Sequence, residues 1–273
     1  AAEAMEGVVV VRDGAFVGPV ATPDPGLGCS AFFAWRPVPV LGTVDIYWLV
    51  YRAEDCEPNV PKNLWAVKVD LGETPPLILP DPVCLTCDGS LSPPSWHWPA
   101  WTGDGMRLSA AEYASDGAPH RYQVSEFVDD PSDPVGPHLA NPIVLFTGSS
   151  FVRLRPEWAH SRDTLVIAVE DGQTRGDLWW FDVDHDGEVP VTASGCLTCL
   201  EPGEPDDGYY YTDAHWSPDD TRLLFYARTP VAYGLFVSEF GSILAPTPLA
   251  VAGGKSGRRN ERPAWNPTPT LLP

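Results

Sequence analysis

The chain is most constrained by a unit that recurs around tryptophan. Five residues after Trp101, Trp158 and Trp216, apolar runs typical of strands begin: Met106–Tyr113, Asp163–Glu170 and Thr221–Arg228. A third strand-like run starts 17 to 19 residues after each tryptophan, and two of these runs contain the identical VSEF at Val124–Phe127 and Val237–Phe240. A fourth run closes each unit: Ile143–Phe146, Val189–Thr192 and Thr247–Val251. Four short strands per repeat predict an all-β protein made of propeller blades.

Two further copies of the unit lie toward the ends of the chain. A looser copy begins at Ala31–Trp35, and a last copy begins at Glu261–Trp265 with only eight residues after its tryptophan. The orphan strand patterns Gly7–Arg12 and Ala15–Val20 can supply the missing strands, because pairing the two termini would remove exposed sheet edges. We therefore expect a single domain over 1–273 with five blades of four antiparallel strands, six or seven blades being the alternative. The expected blades span about 29–80, 95–147, 152–193, 210–252, and 259–273 together with 6–22.

One unit carries a family resemblance. Trp216–Phe225 reads WSPDDTRLLF, which resembles the TolB-type, WD-like propeller repeat W-S-P-D-G-x-x-[LI]-x-F. The resemblance extends over nearly the whole chain, but TGDG follows Trp101 and AHSRD follows Trp158 where the motif has SPDG. It implies a propeller that takes part in protein–protein interaction in a bacterial envelope or outside it. Function still has to be argued from a site, because a fold hosts many functions.

The net charge of the chain limits the classes of partner that it can bind. The 273 residues carry a net charge of −20, which argues against nucleic acid and against anionic membrane surfaces. No run of eighteen apolar residues is present, so no membrane insertion is expected. Protein partners, copies of the same chain and glycans remain as ligands.

The cysteines point to an oxidising compartment. CLTC occurs twice, at Cys84–Cys87 and Cys196–Cys199, in equivalent places between one blade and the next. Two loops separated by two blades should not meet at one zinc ion, so a local disulfide in each loop is favoured, which leaves Cys29 to pair with Cys56. Six cysteines allow fifteen pairings, and the others stay open. Disulfides imply an extracytoplasmic location, whether periplasmic, cell-surface or secreted, and the start AAEAM is expected to follow signal-peptide removal.

Two groups of polar residues are candidate sites. Glu157, Asp213, His215 and Arg262 lie beside the repeat tryptophans and are expected to converge as a binding site where the first strands meet. No catalytic residue is assigned, since glycoside hydrolysis would require two suitably spaced carboxylates. Asp182, Asp184 and Asp186 begin a D-x-D-x-D-G loop, but its twelfth position is Ala193, so we predict a turn and no metal, with calcium as the alternative.

These observations favour a secreted, non-catalytic protein-interaction or assembly module. The alternative is a glycan-binding or glycan-hydrolysing propeller that uses carboxylates at a channel mouth. An interaction module predicts an apolar patch rimmed by insertions, and three long insertions are expected to hold the partner contacts. They are Ala53–Pro61, Asp129–Pro142 and Glu201–Asp207.

Overall fold

The strands account for most of the chain that can be described. The computed structural model describes residues 8–12, 15–20, 29–54, 62–73, 76–79, 81–87, 94–114, 120–148, 156–170, 176–199, 210–228, 233–241 and 247–249. Within those ranges the regular elements are all β-strands, joined by turns and bends, and there is no helix. No helix there is thus long and apolar enough to cross a membrane.

The strands form one hairpin and four sheets. The hairpin pairs β1 (Val8–Arg12) with β2 (Ala15–Val20). The first sheet contains β3 (Cys29–Trp35), β4 (Ile46–Glu54), β5 (Asn63–Asp70) and β6 (Leu77–Ile78), and β7 (Val83–Cys84) also pairs with β5. The second contains β8 (Ser95–Trp101), β9 (Arg107–Tyr113), β10 (His120–Val128) and β11 (His138–Gly148). The third contains β12 (Glu157–Trp158), β13 (Thr164–Glu170), β14 (Gly176–Val183) and β15 (Val191–Cys196). The fourth contains β16 (Tyr210–Trp216), β17 (Arg222–Arg228), β18 (Tyr233–Glu239) and β19 (Thr247–Leu249).

Each sheet is a propeller blade. Its strands follow one another in chain order and pair antiparallel, as a meander of short strands does. The fold is therefore an all-β propeller, as the repeat predicted. The sheets are numbered here as blades 1 to 4.

The structure describes four blades, whereas the sequence predicted five. The two N-terminal strands pair with each other in a separate two-stranded sheet. The two residues that join them are Asp-Gly in sequence, a pair typical of two-residue hairpin loops, which explains this local pairing. The predicted strand at Glu261–Trp265 lies outside the described residues.

The chain divides into two compact units, with the boundary inside β11. In the first unit, one core cluster joins blade 1 to blade 2 through buried residues that include Trp48, Leu64 and Leu108. In the second unit, the equivalent cluster joins blades 3 and 4 and includes Leu178 and Trp216. In each unit, one core cluster thus lies between neighbouring blades, which is how a repeat that cannot bury its own faces gains stability. A further cluster of the first unit, which includes Leu49 and Val69, consists of blade 1 residues alone.

The repeat motif encodes a turn that the structure forms twice. In blade 4, Ser217 Oγ donates to Asp219 Oδ1 at 2.6 Å, and Arg222 N donates back to Ser217 Oγ at 2.9 Å. In blade 2, Thr102 Oγ1 donates to Asp104 Oδ1, also at 2.6 Å. TGDG therefore folds as SPDD does, because a hydroxyl followed two residues later by a carboxylate closes either turn.

The tryptophan of each even-numbered blade ties it to the preceding blade. Trp101 Nε1 donates to the carbonyl oxygen of Ala34 at 3.1 Å, and Trp216 Nε1 donates to that of Glu157 at 3.3 Å. Both acceptors belong to the residue just before the preceding blade's tryptophan. The recurrent tryptophan is thus used for its indole N–H as well as for its apolar area.

An arginine reinforces each of these contacts. Arg36 Nε donates to the carbonyl oxygen of Gly105 at 2.8 Å, and Arg162 donates to that of Asp220. The guanidinium of Arg36 lies 5.7 Å from the Trp101 ring and 5.5 Å from the Phe127 ring. The guanidinium of Arg162 lies over the equivalent rings, which are Trp216 at 4.7 Å and Phe240 at 4.4 Å. The phenylalanine of each VSEF segment is therefore one wall of an Arg–Trp–Phe stack between blades.

Candidate functional site

The first strands of blades 3 and 4 bring two predicted site residues together. Glu157 on β12 and His215 on β16 approach with Glu157 Oε1 3.4 Å from His215 Nδ1. Their side chains are 35% and 23% exposed, so solvent or a ligand can reach the pair. The equivalent positions in blades 1 and 2 are Ala34 and Ala100, the residues that also precede the repeat tryptophan. The polar pair is therefore particular to this place and is not a property of the repeat.

Asp213 does not join the pair in a metal-binding cluster. Among the residues that the structure describes, Asp213, Glu157 and His215 do not form a group of three close ligand atoms. Asp213 has φ of 51°, next to a register shift between Thr212 and His215. This bulge recurs in blade 2, where Trp98 has φ of 56°, so it belongs to the fold and is no evidence of a site. The fourth predicted residue, Arg262, lies outside the described part of the chain.

The chemistry open to Glu157 and His215 is that of a carboxylate beside an imidazole. At 3.4 Å their contact is an electrostatic one that strengthens when the histidine is protonated. Such a pair can orient a polar ligand or hold a proton. Glycoside hydrolysis would need two carboxylates that flank the glycosidic bond, whereas this pair contains only one carboxylate.

The D-x-D-x-D-G segment forms a turn closed by its own acid. Asp184 Oδ1 accepts the backbone N–H groups of Asp186 and Gly187, both at 3.0 Å. Asp182, the first aspartate of the segment, is not part of this turn: its Oδ1 accepts a hydrogen bond from the Thr164 hydroxyl at 2.6 Å. These contacts are those of the Asx turn that the Asp and Gly content predicted.

The histidine inside this turn is buried. The His185 side chain is 3% exposed and its ring centroid lies 5.7 Å from that of Trp158. His185 Nε2 lies 3.3 Å from Asp163 Oδ1, yet neither ring nitrogen makes an aligned hydrogen bond. The contact with Asp163 is therefore electrostatic, because two polar atoms at this distance form a hydrogen bond only when the N–H points at the acceptor. His185 anchors the turn over the repeat tryptophan.

A cluster in the first unit escaped the sequence analysis. The guanidinium of Arg52, at the end of β4, donates to His97 Nδ1 on β8, so the imidazole carries its proton on Nε2. The His97 ring centroid lies 4.5 Å from that of Tyr113 in a tilted arrangement, and the Tyr113 ring lies 4.7 Å from that of His120. The sequence offers two hints of this cluster: an arginine at the end of an otherwise apolar strand, and a histidine between two tryptophans.

Burial controls the charges in this cluster. Desolvation, with additional repulsion from Arg52, Lys62 and His120, lowers the pKa of His97 to about 3. Desolvation lowers the pKa of Arg52 to about 10, partly opposed by Tyr113. The guanidinium is therefore charged at neutral pH, and His97 is its neutral acceptor.

The CLTC loops contain the predicted local disulfides. Cys84 is bonded to Cys87, and Cys196 is bonded to Cys199. The two loops therefore do not share a zinc ion in this state, since every thiol is used within its own loop. The predicted Cys29–Cys56 pair lies outside the description, because Cys56 is not among the described residues.

Comparisons with known proteins bear on the fold. No family model matches the chain, and no curated protein is similar to it in sequence. Solved structures do match. Two of them are TolB proteins. The TolB of Acinetobacter baumannii has 12% identity and a TM-score of 0.47 over 80% of this chain and 44% of its own. A putative TolB from Agrobacterium tumefaciens has 12% identity and a TM-score of 0.44 over 85% and 83%.

A propeller-containing peptidase matches at the same level. Prolyl oligopeptidase B from Galerina marginata has 11% identity and a TM-score of 0.48 over 81% of this chain and 27% of its own. This chain thus spans less than half of the Acinetobacter TolB and about a quarter of the peptidase. With TM-scores below 0.5, these structures carry no information on activity, and function rests on the chain's own residues.

Proposed function

We propose that the chain is an extracytoplasmic, non-catalytic interaction or assembly module of TolB-like propeller type. The observation that carries this proposal is an apolar projection from the first unit. The insertion after β3 exposes 83% of Leu41 and 78% of Val44. Met106, on the neighbouring turn of blade 2, is 55% exposed. Exposed apolar side chains that lie together on a protein surface are typical of interaction sites.

The projection is a hydrogen-bonded turn. Thr43 N donates to the carbonyl oxygen of Val40 at 3.0 Å, and Gly42 has φ of 80°, so residues 40–43 form a turn that places Leu41 at its tip. Below the tip, Val40 is 9% exposed and belongs to the core of the first unit. A leucine presented by an anchored turn loses little conformational entropy on binding, which favours a docking role.

The disulfides support the extracytoplasmic part of the proposal. Disulfides persist in secreted and periplasmic proteins and are rare in reducing compartments. Both CLTC loops are oxidised, and their second cysteines, Cys87 and Cys199, stand where solvent reductants reach them. In cells, alkylation without prior reduction should therefore leave these cysteines unlabelled; labelling of both loops would overturn the location.

Site-specific photo-crosslinking tests the interaction role. A photoreactive phenylalanine replaces Leu41 in the full chain, and a control carries it at Glu73, an exposed polar position of the same unit. After irradiation in the producing cells, we expect discrete adducts from position 41 and none from position 73. An adduct at twice the chain's mass identifies self-assembly, and any other discrete mass identifies a partner. Equal labelling from both positions, or none from either, overturns the proposal.

The glycan alternative rests on Glu157 and His215. A partly exposed carboxylate beside an imidazole can accept hydrogen bonds from sugar hydroxyls. The pair therefore supports binding of a glycan rather than its hydrolysis. Glycan-array binding that is lost in Glu157→Gln, with the stability of the variant unchanged, would favour it over the interaction module.

Blade closure forms part of the same proposal. The β1–β2 hairpin is a two-stranded sheet, and such a sheet is marginally stable alone in water. We infer that Glu261–Trp265 completes it as a fifth blade.

A further inference from the structure

Two hydrogen bonds that do not involve sulfur recur in both CLTC loops. In blade 3, Leu197 N donates to the carbonyl oxygen of Leu178 at 2.7 Å, and Leu178 N donates to Thr198 Oγ1 at 2.9 Å. In blade 1, Leu85 N donates to the Leu64 carbonyl at 2.8 Å, and Leu64 N donates to Thr86 Oγ1 at 2.9 Å. The threonine hydroxyl thus replaces a strand carbonyl in each loop. Because these bonds are independent of the disulfide, they can hold the cysteines close together after reduction.

One residue differs at the base of the loops. Thr198 Oγ1 donates to Asp177 Oδ1 at 3.0 Å, whereas Thr86 Oγ1 donates to Asn63 Oδ1 at 3.2 Å. The carboxylate of Asp177 and the sulfurs of Cys196 and Cys199 lie within 4.8 Å of one another. Among the described residues, this is the one group of three metal-type ligands at such spacing. Blade 1 has a neutral amide where blade 3 has an anion.

The backbone also contacts sulfur in the blade 3 loop. Cys199 N lies 3.0 Å from Cys196 Sγ and donates a hydrogen bond to it. Metals bind cysteine as the thiolate, so the disulfide must be reduced before the loop can hold one. Asp177 is partly buried and Cys199 lies at the surface, so a cation could enter from solvent and keep a water as a further ligand.

We propose that the reduced Cys196–Cys199 loop, together with Asp177, binds a divalent cation of the zinc class. A dithiol or phosphine reductant supplies two electrons, the S–S bond breaks, and two protons complete the thiols. The cation then displaces both thiol protons to solvent and is held by two thiolates and one carboxylate. Zinc accepts this mixed sulfur and oxygen set in tetrahedral geometry, with solvent in the fourth position. The disulfide and the metal exclude each other because they use the same two sulfurs.

The cost of replacing the carboxylate follows from charge. An amide oxygen is neutral, so Asn63 gives the blade 1 loop two anionic ligands at most, while the blade 3 loop has three. Loss of a ligating carboxylate should weaken binding by at least about tenfold, the lower end of the cost of losing an outer-shell partner. The blade 3 loop is therefore the expected metal site, and the blade 1 loop of the same chain is its control.

Cadmium titration of the full chain tests the proposal. The chain is reduced with a phosphine under argon, and the sulfur-to-cadmium charge-transfer band is followed, with zinc affinity measured by competition with a chromophoric chelator. We expect one tight equivalent in the reduced chain, none in the oxidised chain, and at least tenfold weaker binding in Asp177→Asn. Equal affinity in Asp177→Asn and the parent, or two equivalents of indistinguishable affinity in the parent, would overturn the proposal.

A second variant tests the same assignment by gain of function. Asn63→Asp gives the blade 1 loop the ligands of the blade 3 loop, so a second tight equivalent is expected. If Asn63→Asp gains no tight site while it stays folded, the carboxylate is not the deciding ligand and the assignment fails. These outcomes do not depend on whether Leu41 docks a partner, so the two proposals can fail separately.

Discussion

Asp220 stabilises the junction of blades 3 and 4 through four hydrogen bonds. Its carboxylate accepts the backbone N–H and Nδ1 of His160 at 2.8 and 2.9 Å, and the N–H and Oγ of Ser161 at 2.7 Å each. The residue is 5% exposed. Burial raises the pKa of Asp220, but the hydrogen bonds from Ser161 and His160 outweigh it, so the pKa is lowered overall.

Asp220→Asn should therefore lower the free energy of unfolding by about 2–4 kcal/mol, because an amide NH₂ would face a backbone N–H donor. Asp219→Asn, at the preceding and exposed residue, is the control and should cost less, because an amide oxygen can still accept the bonds of Ser217 and Thr221. Urea unfolding of both variants at pH 7 checks the difference. Because the folded pKa of Asp220 is lowered, its contribution is present above the unfolded carboxyl pKa and is lost as pH falls below it. Equal losses in the two variants would contradict the assigned role.

His97 predicts a second pH effect. Its folded pKa is about 3, whereas the ordinary pKa of a histidine is 6.5, so below pH 6.5 the unfolded chain binds a proton that the folded chain does not. Stability from this group is complete above 6.5 and falls with pH down to about 3. His97→Gln keeps an acceptor for Arg52 but binds no proton. The dependence of its unfolding free energy on pH should therefore be weaker than the parent's, by the contribution of one proton. Urea unfolding at pH 7 and pH 5.5 measures it, and parallel slopes would show that His97 is protonated in the fold.

At the scale of elements, the Arg–Trp–Phe stacks join neighbouring blades. Arg162 combines a hydrogen bond to a blade 4 carbonyl with two aromatic contacts. Arg162→Lys keeps the charge but loses the planar fork, and because Arg162 is exposed, a loss of about 0.5–1 kcal/mol is expected. Arg222→Lys, an exposed arginine of the same unit, is the control. Thermal unfolding distinguishes them, and indistinguishable midpoints would mean that the stack contributes little.

The sequence could predict the elements because their causes are local. Tryptophan followed by a hydroxyl-x-carboxylate turn gave the first hairpin of blades 2 and 4, and CLTC gave the two disulfides. The contact of Arg52 with His97 was not predictable in this way, because it depends on how two sheets meet across 45 residues of chain. The approach of Glu157 and His215 was anticipated only as a convergence of first strands. The bulges at Trp98 and Asp213 leave no mark in the strand pattern, since neither residue is a glycine.

At the scale of the whole molecule, the open question is how the ends of the chain are used. The hairpin β1–β2 pairs only within itself in the described structure, and Pro19 opposite Val9 removes one ladder donor. Proline is tolerated at a sheet edge but weakens a strand that must pair on both sides. β2 is therefore better suited to the edge of a sheet than to its middle, and the proposed pairing with Glu261–Trp265 would then complete the blade on the side of β1.

Deletion of 1–20 tests that closure. If the N-terminal strands and the Trp265 strand share a blade, the deletion leaves an unpaired C-terminal strand and should broaden or split the cooperative urea transition. Trp265→Ala should produce part of the same loss in the full chain. In the deleted chain it should then produce little more, because residues that act in one sheet are not additive. A deleted chain that unfolds at the parent's midpoint, or full additivity of the two changes, would show that the termini form separate structures and that four blades complete the fold.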